Sequence, residues 1–248
     1  MFIQHIPKLS AKLCILLTRG QYTMSRDEIV FLDFGLLDYM ECHAKMLKLV
    51  EKRINQEVGD IVILVEHPHV YTLGRKGREE NILDRSVPVY RVERGGDATY
   101  HGPGQLVAYP IIDLNRLAVT VAGFVHLLEE VVIKVLHDFS IEAERVEGYP
   151  GVWVKERKIA SIGLAVKQWV TYHGVALNVN TDLSKFMGIR PCGMDSEIMT
   201  SMEKILGRKV DMAKVKKSFV KHLSQKLGKN PVHHQALTAE LVSLFKSL

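Results

Sequence analysis

Cysteine is scarce in this chain: Cys14, Cys42 and Cys192 are the only three among 248 residues, and no two form a CxxC pair. An odd, dispersed set of this kind excludes a disulfide framework and a structural zinc site built on thiolates. Long apolar runs are missing as well. The apolar stretch near the start, Leu13 to Leu17, falls far short of the ~20 residues of a membrane span or the ~7–15 of a secretory core. Neither the Walker pattern GxxxxGK[ST] nor a GxGxxG fingerprint opening a helix occurs, which removes the two commonest nucleotide cradles. Aromatic residues make up only 7%, the lysines are dispersed, and no helix-turn-helix, RRM or zinc-finger pattern is present, so a nucleic-acid-binding module is disfavoured.

What remains is the composition of a globular protein, 47% apolar and 25% charged, with 33 Lys and Arg against 28 Asp and Glu. Taken alone, the net charge of +5 suits an acidic protein partner or a nucleic acid equally well. Residues 1–26 hold Lys8, Lys12, Arg19 and Arg26 but no acidic residue. They read as a variable leader, either a targeting segment or sequence upstream of a start at Met24. This reading places the protein in the cytoplasm, or in an organelle if the leader targets it.

Residues 27–248 read as a single α+β domain with a helical C-terminal end. Ile29–Leu36 predicts a strand, and the spacing of Met40, Ala44, Leu47 and Val50 predicts a helix over Tyr39–Asn55 with those residues on its apolar face. The β-branched run Ile61–Val65 predicts a strand covered on both faces. Glu66–Arg75 reads as a polar segment broken by Pro68, with His67 and His69 in a surface loop. Val87–Val92 and Leu106–Leu114 read as strands, Pro110 marking the second as an edge or a bulge. Thr120–Phe139 is an amphipathic helix. Val152–Val154, Ile159–Val166 and Trp169–Val179 are consecutive strands. Thr200-Ser-Met-Glu203 forms a capping box for a short helix closed by Gly207, and a lysine-rich helix follows Asp211.

The densest local signal is the loop Arg94–Gln105, with four glycines and a proline between two strands. Glycine lets a backbone approach a ligand closely and leaves its N–H groups free to bind. A plain tight connection accounts for the same composition. The second signal is Cys192, between Pro191 and Gly193 in a loop. Cys42, inside the first helix, reads as a small buried side chain. A free thiol has a pKa near ~8.5 and is mostly protonated at neutral pH, so a nucleophilic Cys192 needs a partner. Lys158, His101 and His173 are equal candidates.

Together these residues resemble the octanoyltransferases, the lipoyl(octanoyl) transferases of protein lipoylation. The resemblance runs from Ile29 to Met212. It rests on EHPHVYTLGR at Glu66–Arg75, RGGDATYHGPGQLVAYP at Arg94–Pro110, GVWV at Gly151–Val154 and KIASIG at Lys158–Gly163. HGVALNVN at His173–Asn180, PCG at Pro191–Gly193 and TSM at Thr200–Met202 complete it. His69 stands where the family usually has proline, and the leader is additional. The resemblance implies a mixed sheet flanked by helices, as in the biotin and lipoate protein ligases. It also implies transfer of an octanoyl or lipoyl group from acyl carrier protein, through a thioester on Cys192, to a lysine of the lipoyl domains of 2-oxoacid dehydrogenases or of the glycine-cleavage H protein. Lys158 matches the family lysine that lowers the nucleophile's pKa. Arg94, Gly95, Gly96, Asp97, Ala98, Thr99, Tyr100 and His101 match substrate-contacting positions, as do Ser161, Ile162, Gly163, Gly174, Val175 and Ala176. No cofactor, metal, nucleic acid or membrane is implied.

Overall fold

A computed structural model describes residues 27–190 and 196–233; the leader and Cys192 lie outside the described residues. The chain builds an eight-stranded mixed sheet and a smaller three-stranded one. The large sheet comprises β1 (Glu28–Leu36), β2 (Asp60–Glu66), β6 (Gln105–Ile111), β7 (Glu144–Val146), β8 (Tyr149–Val154), β9 (Arg157–Lys167), β10 (Val170–Asn178) and β11 (Asn230–His233). Their spatial order is β11-β1-β2-β6-β10-β9-β8-β7, with β1 parallel to both neighbours and the other pairs antiparallel. The small sheet holds β3 (Val70–Leu73) between β4 (Val89–Arg91) and β5 (Ala98–His101).

Burial follows from the apolar runs. Along β2, Val62 and Leu64 enter the core under α3 (Val121–His137) and α5 (Met212–Leu227), while Ile61, Ile63 and Val65 enter the core under α1 (Tyr39–Ile54). The strand is thus covered on both faces, as its continuous β-branched sequence predicts. Helix starts match their caps. Asp38 accepts from the backbone of Met40 and Glu41 at 2.9 and 3.1 Å, and Thr120 accepts from Gly123 at 3.0 Å. α5 lies on α3, where Asp138 accepts hydrogen bonds from Ser218 (2.8 Å) and His222 (2.9 Å).

Several expectations are corrected. The buried face of α1 is Tyr39, Cys42, His43, Met46, Leu49, Val50 and Arg53, whereas Met40 and Ala44 face solvent. In the last turn of α1, Arg53 is buried and donates to Asp60 at 2.9 Å, with Asp113 at 3.6 Å. β3 occupies the segment read as polar loop, and β5 occupies the middle of the glycine-rich loop. β6 is interior, so Pro110 marks no edge. Pairing of β6 with β10 ends at Ala108 opposite Val175, and His173 takes φ +55, so the proline costs no bond of that ladder. The short helix α4 (Met202–Leu206) is capped by Ser201 through Lys204, not by Thr200, whose amide donates to the Lys158 carbonyl. Gly207 closes it at φ +67. Among the described residues no helix is long and apolar enough to cross a membrane.

Candidate active site

A cavity of about 430 Å³ lies where the small sheet meets β9 and β10. The segments singled out in the sequence converge on it. Arg94 to Thr99 and His101 form one wall, and Lys158 with Ser161 to Gly163 of β9 and Gly174 to Ala176 of β10 form another. Tyr100 does not line it. Its ring packs on Tyr71 and Phe186, and its hydroxyl meets His69 Nδ1 at 2.7 Å.

Gly163 lets the loop approach β9, and Gly174 lets β10 close against β6. Gly163 and Gly174 are ladder partners in adjacent strands. A Cβ on Gly163 would sit 3.1 Å from the Gly95 carbonyl, and one on Gly174 would sit 2.1 Å from that of Ala108. With no side chain at Gly163, the loop docks on β9 through the Gly95 amide, which donates to the Leu164 carbonyl at 2.8 Å. Arg94 fixes the other side of the loop. Its buried guanidinium donates to the Thr72 carbonyl at 2.6 Å, to Thr72 Oγ1 at 2.9 Å and to the Gly95 carbonyl at 3.0 Å. Asp97 adds a clasp, accepting from Asn81 Nδ2 at 2.6 Å.

His67, His101 and His173 are interior groups, whereas His69 is exposed as expected of a surface position. His67, expected in a surface loop, is fully buried; its Nδ1–H donates to the Leu37 carbonyl at 2.8 Å and its Nε2 accepts from the Tyr109 hydroxyl at 3.0 Å. The strand geometry of β3 draws this polar-looking segment inward. Gln105 gives both amide hydrogens to the Tyr100 carbonyl and Asn178, so its Oε1 accepts from His101 Nδ1–H at 2.7 Å. That fixes the neutral tautomer with Nε2 unprotonated. Burial pushes His101 down to about 3, and His67 and His173 down to about 4. His101 and His173 are therefore neutral imidazoles at physiological pH. Burial raises Cys42 to about 12, which makes it an inert core thiol.

Lys158 enters β9 opposite Trp153 and lies 5.5 Å from that ring's centroid. Its main chain bridges to Met199, and Ile198 and Met199 line the cavity just after the segment that holds Cys192. Phe186, shortly before that segment, lines it too. Tyr39, Val121, Val125 and Tyr149 also line the cavity, and no motif marks them in the sequence. The described residues that cluster as metal ligands are His43, Glu93 and His173, from three separate segments.

Residues 38–224 match the lipoyl protein ligase A/B catalytic domain. The chain is 45% identical over 195 residues to the octanoyltransferase of Syntrophotalea carbinolica, covering 79% of this chain and 92% of that one. It is 48% identical over 189 residues to the probable octanoyltransferase of Pyrobaculum calidifontis, covering 76% and 81%. The chain belongs to the octanoyltransferase family. It is accordingly an acyltransferase for octanoyl or lipoyl groups. The fold is shared with a lipoate-protein ligase A solved with ATP (TM-score 0.65, 16% identity, 90% and 94% covered) and with the ligase of a bipartite archaeal system from Thermoplasma acidophilum (TM-score 0.63, 16% identity, 91% and 92% covered). The mixed sheet flanked by helices expected from the family motifs is the sheet observed.

Proposed function

We propose that Cys192 is the nucleophile and Lys158 the cation that activates it, in a two-step transfer from octanoyl-acyl carrier protein to a lysine of a lipoyl domain or of the glycine-cleavage H protein. In the first step the Cys192 thiolate attacks the thioester carbonyl, and the carrier leaves as a thiolate that takes a proton. In the second, the acceptor amine attacks the enzyme thioester, loses a proton and releases Cys192 with the octanoyl group as an amide. The supporting observation is that Lys158 lines the same cavity as the glycine loop and that its main chain bridges to Met199, shortly after Cys192 in the chain.

Thioester-to-thioester exchange is nearly isoenergetic and needs no nucleotide, in keeping with a sequence that carries no phosphate-binding motif. Burying six methylenes of an octanoyl chain supplies about 5 kcal/mol at ~0.8 kcal/mol each. The backbone N–H groups of Gly96 and Asp97 in the loop Arg94–Thr99 serve as donors to the tetrahedral oxyanion, those of Gly95 and Ala98 being taken by Leu164 and Asp97. The net charge of +5 favours encounter with an acidic carrier.

Intact-mass spectrometry after mixing the protein with octanoyl-carrier tests this directly. One octanoyl adduct is expected, absent from Cys192→Ala and discharged on adding a lipoyl domain. An adduct that survives in Cys192→Ala moves the nucleophile elsewhere. Modification of the lipoyl domain from free octanoate and ATP, without carrier, assigns the chain to ligase chemistry instead.

A further inference from the structure

At the edge of the cavity, which His173 also lines, three side chains converge from distant parts of the chain: His43 on α1, Glu93 after β4, and His173 within β10. One oxygen, Glu93 Oε2, lies 3.0 Å from His43 Nε2 and 3.4 Å from His173 Nε2. The three potential ligand atoms all lie within 4.8 Å of one another. As hydrogen bonds these distances are unequal, and the second is long for N–H···O. As edges of a coordination polyhedron they match: bonds of ~2.0–2.1 Å at the tetrahedral angle span about 3.3 Å. His173 holds φ +55, an uncommon position for a residue other than glycine, and its ring is buried. The Glu93 side chain is 49% exposed, so the cluster has a path to solvent.

We propose that His43, Glu93 and His173 form a site for a borderline divalent transition ion of the zinc class, with the fourth position left to water. Two imidazoles and one carboxylate suit Zn²⁺ or Co²⁺ and are poor ligands for Ca²⁺ or Mg²⁺. Each histidine coordinates through the Nε2 lone pair of its Nδ1–H tautomer, and Glu93 through its carboxylate; no covalent bond of the protein changes. A bound ion ties α1 to the start of the segment Gly174–Ala176, and so stiffens one wall of the cavity. The site does not depend on the route by which acyl groups are transferred.

Titration of the full chain with ZnCl₂ by calorimetry, and with CoCl₂ by visible absorption, tests the proposal. Expected are one saturable equivalent in the micromolar range and the bands of four-coordinate cobalt without a thiolate charge-transfer band. Glu93→Gln and His43→Ala each weaken binding by about tenfold or more, while Cys192→Ser leaves it unchanged. Glu93→Gln alters a half-exposed side chain and keeps the test sound if His43→Ala folds poorly. No saturation below millimolar metal, binding that Glu93→Gln leaves intact, or binding that Cys192→Ser abolishes overturns the site.

Discussion

The side chain of Lys158 crosses Gly151 at a point where no other residue fits. A Cβ on Gly151 would lie 2.6 Å from Lys158 Cε and 3.2 Å from Nζ, and 2.4 Å from the Ala160 carbonyl. Gly151 also holds φ +130, and its amide donates to the buried Glu129 carboxylate at 2.9 Å. Gly151→Ala is expected to cost about 1–3 kcal/mol of stability and, by displacing the ammonium, to slow acylation by about tenfold or more. Thermal unfolding and adduct formation followed by mass measure the two effects. Acylation at the wild-type rate in a folded variant would show that the lysine is not positioned here.

Lys158→Ala removes the cation proposed to stabilise the Cys192 anion. The thiol's pKa then rises, and iodoacetamide labelling of the Cys192 peptide near neutral pH should slow by about tenfold per unit of rise. Cys42, buried with a pKa of about 12, should stay unlabelled. An unchanged labelling profile across pH 6–9 rejects the electrostatic role.

Arg53 and Asp60 form an ion pair on which the C-terminal end of the described chain also depends, since Lys229 reaches Asp60 at 3.0 Å just before β11. Arg53→Ala leaves Asp60 buried with much of its compensation gone and should cost about 3–5 kcal/mol. Urea denaturation reads the loss as a lower midpoint. A change under 1 kcal/mol would mean that Lys229 alone satisfies the carboxylate.

The buried neutral histidines set an acid limit on stability. His67 has a folded pKa of about 4 against an unfolded value near ~6.5. Between these values the unfolded chain binds the extra proton, so stability rises with pH and is lost as pH falls from about 6.5 towards 4. The slope for one such group approaches about 1.4 kcal/mol per pH unit. His67→Gln should flatten the fall in urea midpoint between pH 6.5 and 4.5. A curve as steep as the wild type's assigns the acid sensitivity to other groups.

The elements with clear periodicity are legible in the sequence. The run Ile61–Val65 fixes β2, and Thr120 with the stripe Phe124, Leu128, Val131, Val132 and Val135 fixes α3. The face of α1 was misread because its buried stripe includes Cys42, His43 and Arg53, residues that look neutral or polar until Asp60 and Glu93 arrive from elsewhere. β3 and β11 were missed because each is short and polar-flanked, and each is held by pairing with a remote strand rather than by local propensity.

At the site, the motifs carried the loop Arg94–His101 and the strands at Lys158–Gly163 and Gly174–Ala176, and the structure joins these three around one cavity. Tyr39 and the cluster of His43, Glu93 and His173 were illegible. Their proximity arises from the packing of α1 against β10 across more than a hundred residues of chain, and no spacing rule spans that distance.

The facing pair Gly163 and Gly174 has a practical consequence for anyone reshaping the pocket. The loop rests on the gap that Gly163 leaves, so a bulkier residue at 163 pushes on Gly95 and Arg94, whereas one at 174 meets Ala108 and Pro110 of β6. Attempts to alter chain-length preference from the sheet side will therefore move the opposite wall as well. Val121 and Val125, on a helix that does not touch that gap through either glycine, are the sounder handles for redesign.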